Sequence, residues 1–99
     1  MSNSSEKKLW VVINSLKENT SDTDLQKIAS DMGNVVDKWQ SKGKFVWSGP
    51  LDNKKSGMAI IEALESEANA FLAENKKAGS KVLDSYLYQW DAMPILSLL

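Results

Sequence analysis

Histidine and cysteine are both absent from this chain of 99 residues. Without cysteine there is no disulfide, no thiolate nucleophile and no zinc site of the sulfur type. Without histidine the chain lacks the commonest metal ligand and the commonest general base at neutral pH. We therefore expect neither a metal nor another cofactor, and any proton transfer must use a carboxylate or a tyrosine.

An excess of charge of either sign is also absent, since 12 Lys and Arg residues oppose 13 Asp and Glu residues and leave a net charge of -1. Without a global positive field, we expect no nucleic-acid partner and no membrane partner. The polar N-terminus is followed by an apolar stretch, residues 9–13, that is too short for a signal peptide. The expected location is the cytoplasm.

The composition is that of one small soluble domain, with 42% hydrophobic and 25% charged residues. At this length a chain is near the lower limit for burying an adequate core alone, so help from a second subunit is expected. We expect residues 1–8 to form a flexible tail and residues 9–99 to form a single domain.

The first half of the chain predicts a strand and a long helix. Residues 9–16 are rich in β-favouring side chains and predict the first strand. Asp22 or Thr23 is placed to cap the helix, and Gly43 to end it. The apolar positions of this helix recur at the three-and-four spacing of one face: Leu25, Ile28, Ala29, Met32, Val35, Val36 and Trp39.

The second half predicts a hairpin, a shorter helix and a last strand. Residues 44–48 form the second strand, Gly49 and Pro50 a turn, and residues 57–63 the third strand. Ser66 is expected to cap the second helix, which Gly79 ends, and residues 82–90 predict the fourth strand. The apolar positions of the second helix are Ala68, Phe71, Leu72 and Ala78.

The order βαββαβ predicts an α+β fold of the ferredoxin-like type, a four-stranded antiparallel sheet with two helices on one face. A sheet covered on one face should alternate apolar and polar residues, but here both faces are apolar. Leu9, Val11 and Ile13 point one way while Trp10 and Val12 point the other. In the second strand, by the same alternation, the side chains at 45 and 47 are expected to oppose the one at 46.

The second apolar face would be costly to leave in water. Each large side chain left exposed forgoes roughly 1.5 to 3 kcal/mol. A patch of this kind indicates an interface, and two helices cannot cover both faces. We therefore expect a homodimer through the open sheet face, with two copies packed sheet against sheet about a two-fold axis.

Three parts of the chain carry a resemblance to a known family: Gly43-Lys44-Phe45-Val46-Trp47-Ser48-Gly49-Pro50-Leu51, the strand residues Ile60-Ile61-Glu62-Ala63, and the helix start at Ser66. They resemble the YCII-related family of the dimeric α/β barrel superfamily. The resemblance implies a dimeric α/β barrel. Activity in that family is associated with a His and Asp pair, which cannot be carried over to a chain without histidine. Met32 falls near the place where the resemblance would put the His, and its position on the helical stripe indicates a core residue.

Five residues are candidates for a site. Glu62 follows apolar strand residues, where partial burial would favour its protonated form and suit proton transfer, or it lies at a solvated strand end. Asn14 closes an apolar strand and could hold a carbonyl or an oxyanion with its amide, or it merely ends the strand. Tyr86 and Tyr88 alternate along one strand face and, with Trp47, could stack on a planar ligand or fill an interface.

Three functions fit these residues. The first is a small cofactor-independent enzyme of the lyase, isomerase or monooxygenase type, with Glu62 as the catalytic group. The second is a module that binds a small apolar or aromatic molecule at Asn14, Trp47, Tyr86 and Tyr88 without catalysis. The third is a structural dimerisation module whose apolar C-terminus, residues 95–99, docks on a neighbour. Whether the protein is an enzyme is left open by the sequence.

Overall fold

The computed structural model describes residues 6–91, and it confirms the predicted order of elements. The elements are β1 Lys8–Leu16, α1 Asp22–Ser41, β2 Phe45–Pro50, β3 Ser56–Ala63, α2 Glu65–Gly79 and β4 Leu83–Trp90. The strands form one antiparallel sheet in the order β2-β3-β1-β4, so β2 and β4 are the edges. The predicted apolar C-terminus lies outside the described residues.

Helix α1 is capped at both ends by residues that flank it. Ser21, rather than Asp22 or Thr23, is the N-cap: its Oγ accepts the N–H of Asp24 at 3.2 Å, and Asp24 Oδ2 accepts the N–H of Ser21 at 3.1 Å. These bonds from Ser21 lower the pKa of Asp24. At the other end Gly43 has a φ of 70°, the left-handed conformation that ends a helix, as predicted.

The N-cap of helix α2 lies two residues before the predicted one. Leu64 is the N-cap, and its backbone N–H donates to Glu67 Oε1 at 2.9 Å, so the prediction that Ser66 caps this helix is wrong. Glu67 also pairs with Lys44 at 2.7 Å. The Lys44 bond, together with the N–H of Leu64, lowers the pKa of Glu67. A carboxylate that binds both the helix start and Lys44, just before β2, replaces the expected serine.

Strand β2 runs further than predicted and contains a bulge. Gly49 and Pro50 are strand residues rather than a turn, and they pair with Met58 and Gly57. Proline is tolerated here because β2 is an edge strand, with no partner on its outer side among residues 6–91. The connection to β3 is residues 51–55.

The bulge at Val46 changes which face the neighbouring side chains occupy. Phe45 pairs with Ile61, but Trp47 pairs with the adjacent residue Ile60, so one residue of β2 is extra. Phe45 therefore lies on the helix-covered face and Trp47 on the opposite one. The prediction that both rings share a face is wrong, because a bulge shifts the alternation by one residue.

The core lies between the helices and the covered face of the sheet. Trp39 of α1 is 2% exposed, and its ring meets Phe71 of α2 edge to face, with 5.3 Å between the ring centroids. Ala29 is exposed, contrary to its place on the predicted stripe, and Met32 is half-buried. The core side chains are Trp10, Val12, Trp39, Ala59, Ile61, Ala63, Ala68 and Phe71.

The core contact between the two helices includes one carboxylate. Glu74 accepts hydrogen bonds from Lys38 Nζ at 2.9 Å and from Trp39 Nε1 at 3.2 Å. Burial opposes the charged form, but the bonds from Lys38 and Trp39 outweigh it and the pKa of Glu74 is lowered. Because the pKa of Glu74 is lower in the folded protein than the ordinary glutamate pKa of 4.5, the charged side chain stabilises the fold at pH values above 4.5. This contribution is lost as the pH falls through the lowered pKa.

We therefore predict that Glu74→Gln flattens the pH dependence of unfolding between pH 6 and pH 3, by on the order of 1 kcal/mol. Urea unfolding at a series of pH values measures this. Glu18→Gln is the matched control, since Glu18 is exposed and forms no ion pair within residues 6–91. An equally steep acid loss in the Glu74 variant would contradict the assignment.

Candidate functional site

The sheet divides the predicted site residues between its two faces. Asn14 lies on the covered face, since its neighbours Trp10 and Val12 in β1 belong to the core. Glu62 pairs with Leu9, and Tyr88 pairs with Val11, so both lie on the face that carries no helix. The structure therefore does not bring the five residues together in one pocket.

The uncovered face, which we call the open face, is apolar across all four strands. Register places Tyr88, Val11, Ile60 and Trp47 in one row from β4 to β2. The two ends of this row are prominent, with Trp47 74% and Tyr88 57% exposed. The apolar residues of the open face are Leu9, Val11, Ile13, Trp47, Met58, Ile60, Tyr86, Tyr88 and Trp90, and Glu62 lies at one end of the same face.

Glu62 is exposed near the C-terminal end of β3. Asn14 pairs with Gly57, at the other end of that strand. Five residues of strand separate the two levels, which is roughly 17 Å, and the sheet lies between the side chains. A single small ligand cannot contact both Glu62 and Asn14 within one subunit.

Asn14 belongs to a polar cluster on the covered face, near the end of the sheet where β1 ends and β3 begins. Its partners are Asn75 of α2, which is 2% exposed, and Ser85 of β4, which is 8% exposed and lies directly opposite Asn14 in the sheet. Asn14 Nδ2 donates to Asn75 Oδ1 at 3.1 Å, and Asn75 Nδ2 donates to Ser85 Oγ at 2.8 Å. We call these three residues the asparagine cluster.

The hydrogen bonds of the asparagine cluster nearly exhaust its donors. Asn14 Oδ1 accepts from both Asn75 Nδ2 and Ser85 Oγ. Asn75 Nδ2 therefore uses both of its hydrogens, whereas Asn14 Nδ2 uses one of two among the described residues. Burying polar groups on an apolar face is costly unless they are paired. The cluster thus holds the Asn14 amide in one orientation and leaves one N–H of Asn14 Nδ2 without a partner among the described residues.

An open surface depression of about 330 Å³, which we call the Asn14 cavity, lies beside the asparagine cluster and is lined by Asn14. This volume is at the lower end of the range for pockets that hold small molecules. Its apolar wall comes from Leu16, Pro50, Gly57 and Leu83. Lys54, Lys55 and Ser56, from the connection between β2 and β3 and the start of β3, complete the lining. Among the described residues of this lining, Asn14 carries the one side-chain amide.

Sequence reasoning identified Asn14 but missed Asn75 and Ser85. A signal for Asn75 was present, because it lies four residues after Phe71 and so falls on the buried stripe of α2. A polar residue on such a stripe indicates a buried network. Ser85 carried no comparable signal, since its role depends on the register between β1 and β4.

The acidic residues of the described chain do not converge. Within residues 6–91, no group of three or more Asp and Glu residues is arranged to hold a metal ion. Neither helix in that range has the length and apolar character needed to cross a membrane.

Comparison with known proteins shows the fold. SnoaB, a cofactor-independent oxygenase from Streptomyces nogalater, matches with a TM-score of 0.55 and 13% identity, over 93% of this chain and 98% of SnoaB. A variant of SnoaB with an asparagine replaced by alanine matches with a TM-score of 0.54 and 14% identity, over 91% of this chain and 98% of that one. An uncharacterized protein from Thermotoga maritima matches with a TM-score of 0.53 and 6% identity, over 87% of this chain and all of its own.

At these identities the likeness extends to the ferredoxin-like α/β fold and no further. No family profile matches the sequence, and no curated protein matches it. The resemblance to the YCII-related family is thus supported at the level of the fold shared with SnoaB.

Proposed function

We propose that this protein binds a small, mainly apolar or aromatic molecule that carries a carbonyl oxygen, in the cavity beside Asn14. The observation that carries the proposal is the Asn14 amide, which is fixed by Asn75 and Ser85, retains one N–H, and lines a cavity with apolar walls. An amide N–H in such surroundings is a good partner for a carbonyl or enolate oxygen.

Ligand binding without catalysis is the first candidate, because no carboxylate or tyrosine is among the described residues that line this cavity. Cofactor-independent catalysis of the lyase, isomerase or monooxygenase type is the second. The fold shared with a cofactor-independent oxygenase favours it, and an amide that stabilises a developing oxyanion would contribute to such a reaction. Glu62 lies on the opposite face of the sheet and cannot act at this cavity within one subunit.

We also propose that the protein is a homodimer through the open face. The apolar row from Tyr88 to Trp47 crosses the whole sheet, and exposed aromatic side chains occupy both of its edges. An apolar patch of this extent is typical of an interface. A second copy offers the same patch, as a two-fold interface requires. Trp47, Tyr86 and Tyr88, predicted as ligand contacts, would then be interface residues.

Binding is tested by amide NMR titration with 1-tetralone, an aromatic ketone, and with tetralin, the same skeleton without the oxygen. We expect 1-tetralone to shift the amides of Gly57 and Leu83 and to bind about tenfold more tightly than tetralin. Asn14→Ala should remove this preference, whereas Asn34→Ala, which deletes an exposed amide on α1, should not.

Because Asn14→Ala also disturbs the asparagine cluster, Asn14→Asp serves as a second variant. It retains an oxygen that accepts from Asn75 Nδ2 and Ser85 Oγ, but it lacks both N–H groups, including the one that Asn14 donates to Asn75 Oδ1. Equal binding of 1-tetralone and tetralin, or an unchanged preference in a folded Asn14→Asp variant, would contradict the proposed function.

A further inference from the structure

We infer that the ligand of the Asn14 cavity is an anion, a carbonyl compound with a carboxylate at its far end, and that Lys54 and Lys55 bind this carboxylate. The inference rests on the proposed function, since it concerns the same cavity. It adds the charge of the ligand and the residues that recognise it.

The cavity lining carries positive charge without compensation. Lys54 and Lys55 both contribute to it, and no Asp or Glu is among the described lining residues. Within residues 6–91, neither lysine forms a salt bridge, whereas Lys17, Lys38 and Lys44 each pair with a carboxylate. Two unpaired ammonium groups on one small cavity favour an anionic occupant.

The backbone at Lys54 is strained. Lys54 has a φ of 62°, in the left-handed region that favours glycine or asparagine and is strained for lysine. Glycine would adopt this conformation with less strain, and strained positions of this kind cluster at ligand-binding sites.

The connection that carries both lysines is held firmly. Asn53 Oδ1 accepts the N–H of Lys55 at 2.9 Å and the N–H of Ser56 at 3.0 Å, and the N–H of Lys54 donates to Leu51 O at 3.3 Å. Asp52 is on the same connection but does not line the cavity. These hydrogen bonds fix the backbone positions of Lys54 and Lys55, so only the two side chains need to adjust to a ligand.

The polar groups of the cavity thus suggest a ligand with two recognised ends. Asn14 offers an N–H to a neutral or enolic oxygen at one place, while the lysines offer charge at another, and Leu16, Pro50 and Leu83 provide the apolar wall. An aromatic or alicyclic keto acid has this arrangement. A carboxylate suits two lysines, because each ammonium group can approach one carboxylate oxygen.

The test compares three probes by calorimetry: 1-tetralone, 4-oxo-1,2,3,4-tetrahydro-1-naphthoate, and the methyl ester of that acid. We expect the carboxylate to bind about tenfold more tightly than its ester at low salt, and added NaCl to reduce this advantage. Lys55→Met and Lys54→Gly should each weaken the carboxylate several-fold and leave the ester unchanged. Lys27→Met, which removes an exposed charge on α1, is the control.

Lys54→Gly has a second readout that a purely structural role would not give. Relief of the left-handed strain should raise its Tm by a few degrees while its affinity for the carboxylate falls. Equal affinities for the carboxylate and the ester would overturn the inference, as would lysine variants that weaken the binding of both alike. In either case, binding of 1-tetralone would leave the proposed function in place. Failure of all three probes to bind would overturn both.

Discussion

Trp39→Ala is expected to lower the free energy of unfolding by about 3 to 5 kcal/mol, the range for removing a large buried aromatic side chain. Trp39 is 2% exposed and packs edge to face against Phe71. Its Nε1 donates to Glu74 at 3.2 Å, and Lys42 Nζ lies 4.6 Å from the ring centroid. Removing the indole would leave a cavity at the contact between α1 and α2.

Urea unfolding at one fixed protein concentration measures this loss, since the apparent stability of a dimer depends on concentration. Gln40→Ala changes the next, exposed residue of α1 and should cost under about 0.5 kcal/mol. Trp39→Phe should fall between the two, because it keeps a ring against Phe71 and loses the bond to Glu74. A loss of under about 1 kcal/mol in Trp39→Ala would show that the indole does not anchor the core.

Val11→Asp is expected to dissociate the proposed homodimer and to raise its dissociation constant by about 100-fold or more, which corresponds to about 2.7 kcal/mol. Val11 is half-buried in the middle of the open face, between Ile60 and Tyr88. In a two-fold interface, each copy would place an unpaired carboxylate among apolar side chains. Sedimentation equilibrium at micromolar concentration measures the change.

Gln26→Asp is the matched control for this variant. It introduces the same carboxylate at an exposed position of α1, remote from the open face, and should leave the dimer intact. Circular dichroism shows whether Val11→Asp remains folded, so that loss of the dimer is separated from loss of the fold. A wild-type chain that sediments as a monomer, or a Val11→Asp variant that stays dimeric, would contradict the proposed interface.

The order of elements could be predicted because each carries a strong local signal. The apolar stripe of α1 and the β-rich runs of β1 and β3 are long enough to identify without tertiary information. The predictions that were wrong concern places where the local sequence fits more than one structure. Ser21, Asp22 and Thr23 are all able to cap a helix, and the reciprocal bond with Asp24 selects Ser21. The Gly49 and Pro50 pair is typical of a turn, but an edge strand also accommodates it.

The site was less predictable, because strand register decides which side chains meet. In β1 and β3, the antiparallel register pairs Asn14 with Gly57 and Leu9 with Glu62, so two even-numbered residues fall on opposite faces. The bulge at Val46 separates Phe45 from Trp47 in the same way. Asn75 and Ser85 join Asn14 only through the packing of α2 and β4. None of these relations is encoded in local spacing.

The most direct measurement is a crystal structure of the protein soaked with 1-tetralone. The account predicts the ring system against Leu16, Pro50 and Leu83, with the ketone oxygen within hydrogen-bond distance of Asn14 Nδ2. It also predicts that Asn14 still donates to Asn75 and still accepts from Ser85 in the complex. A ligand bound on the open face between Trp47 and Tyr88, with the Asn14 cavity closed, would contradict the account.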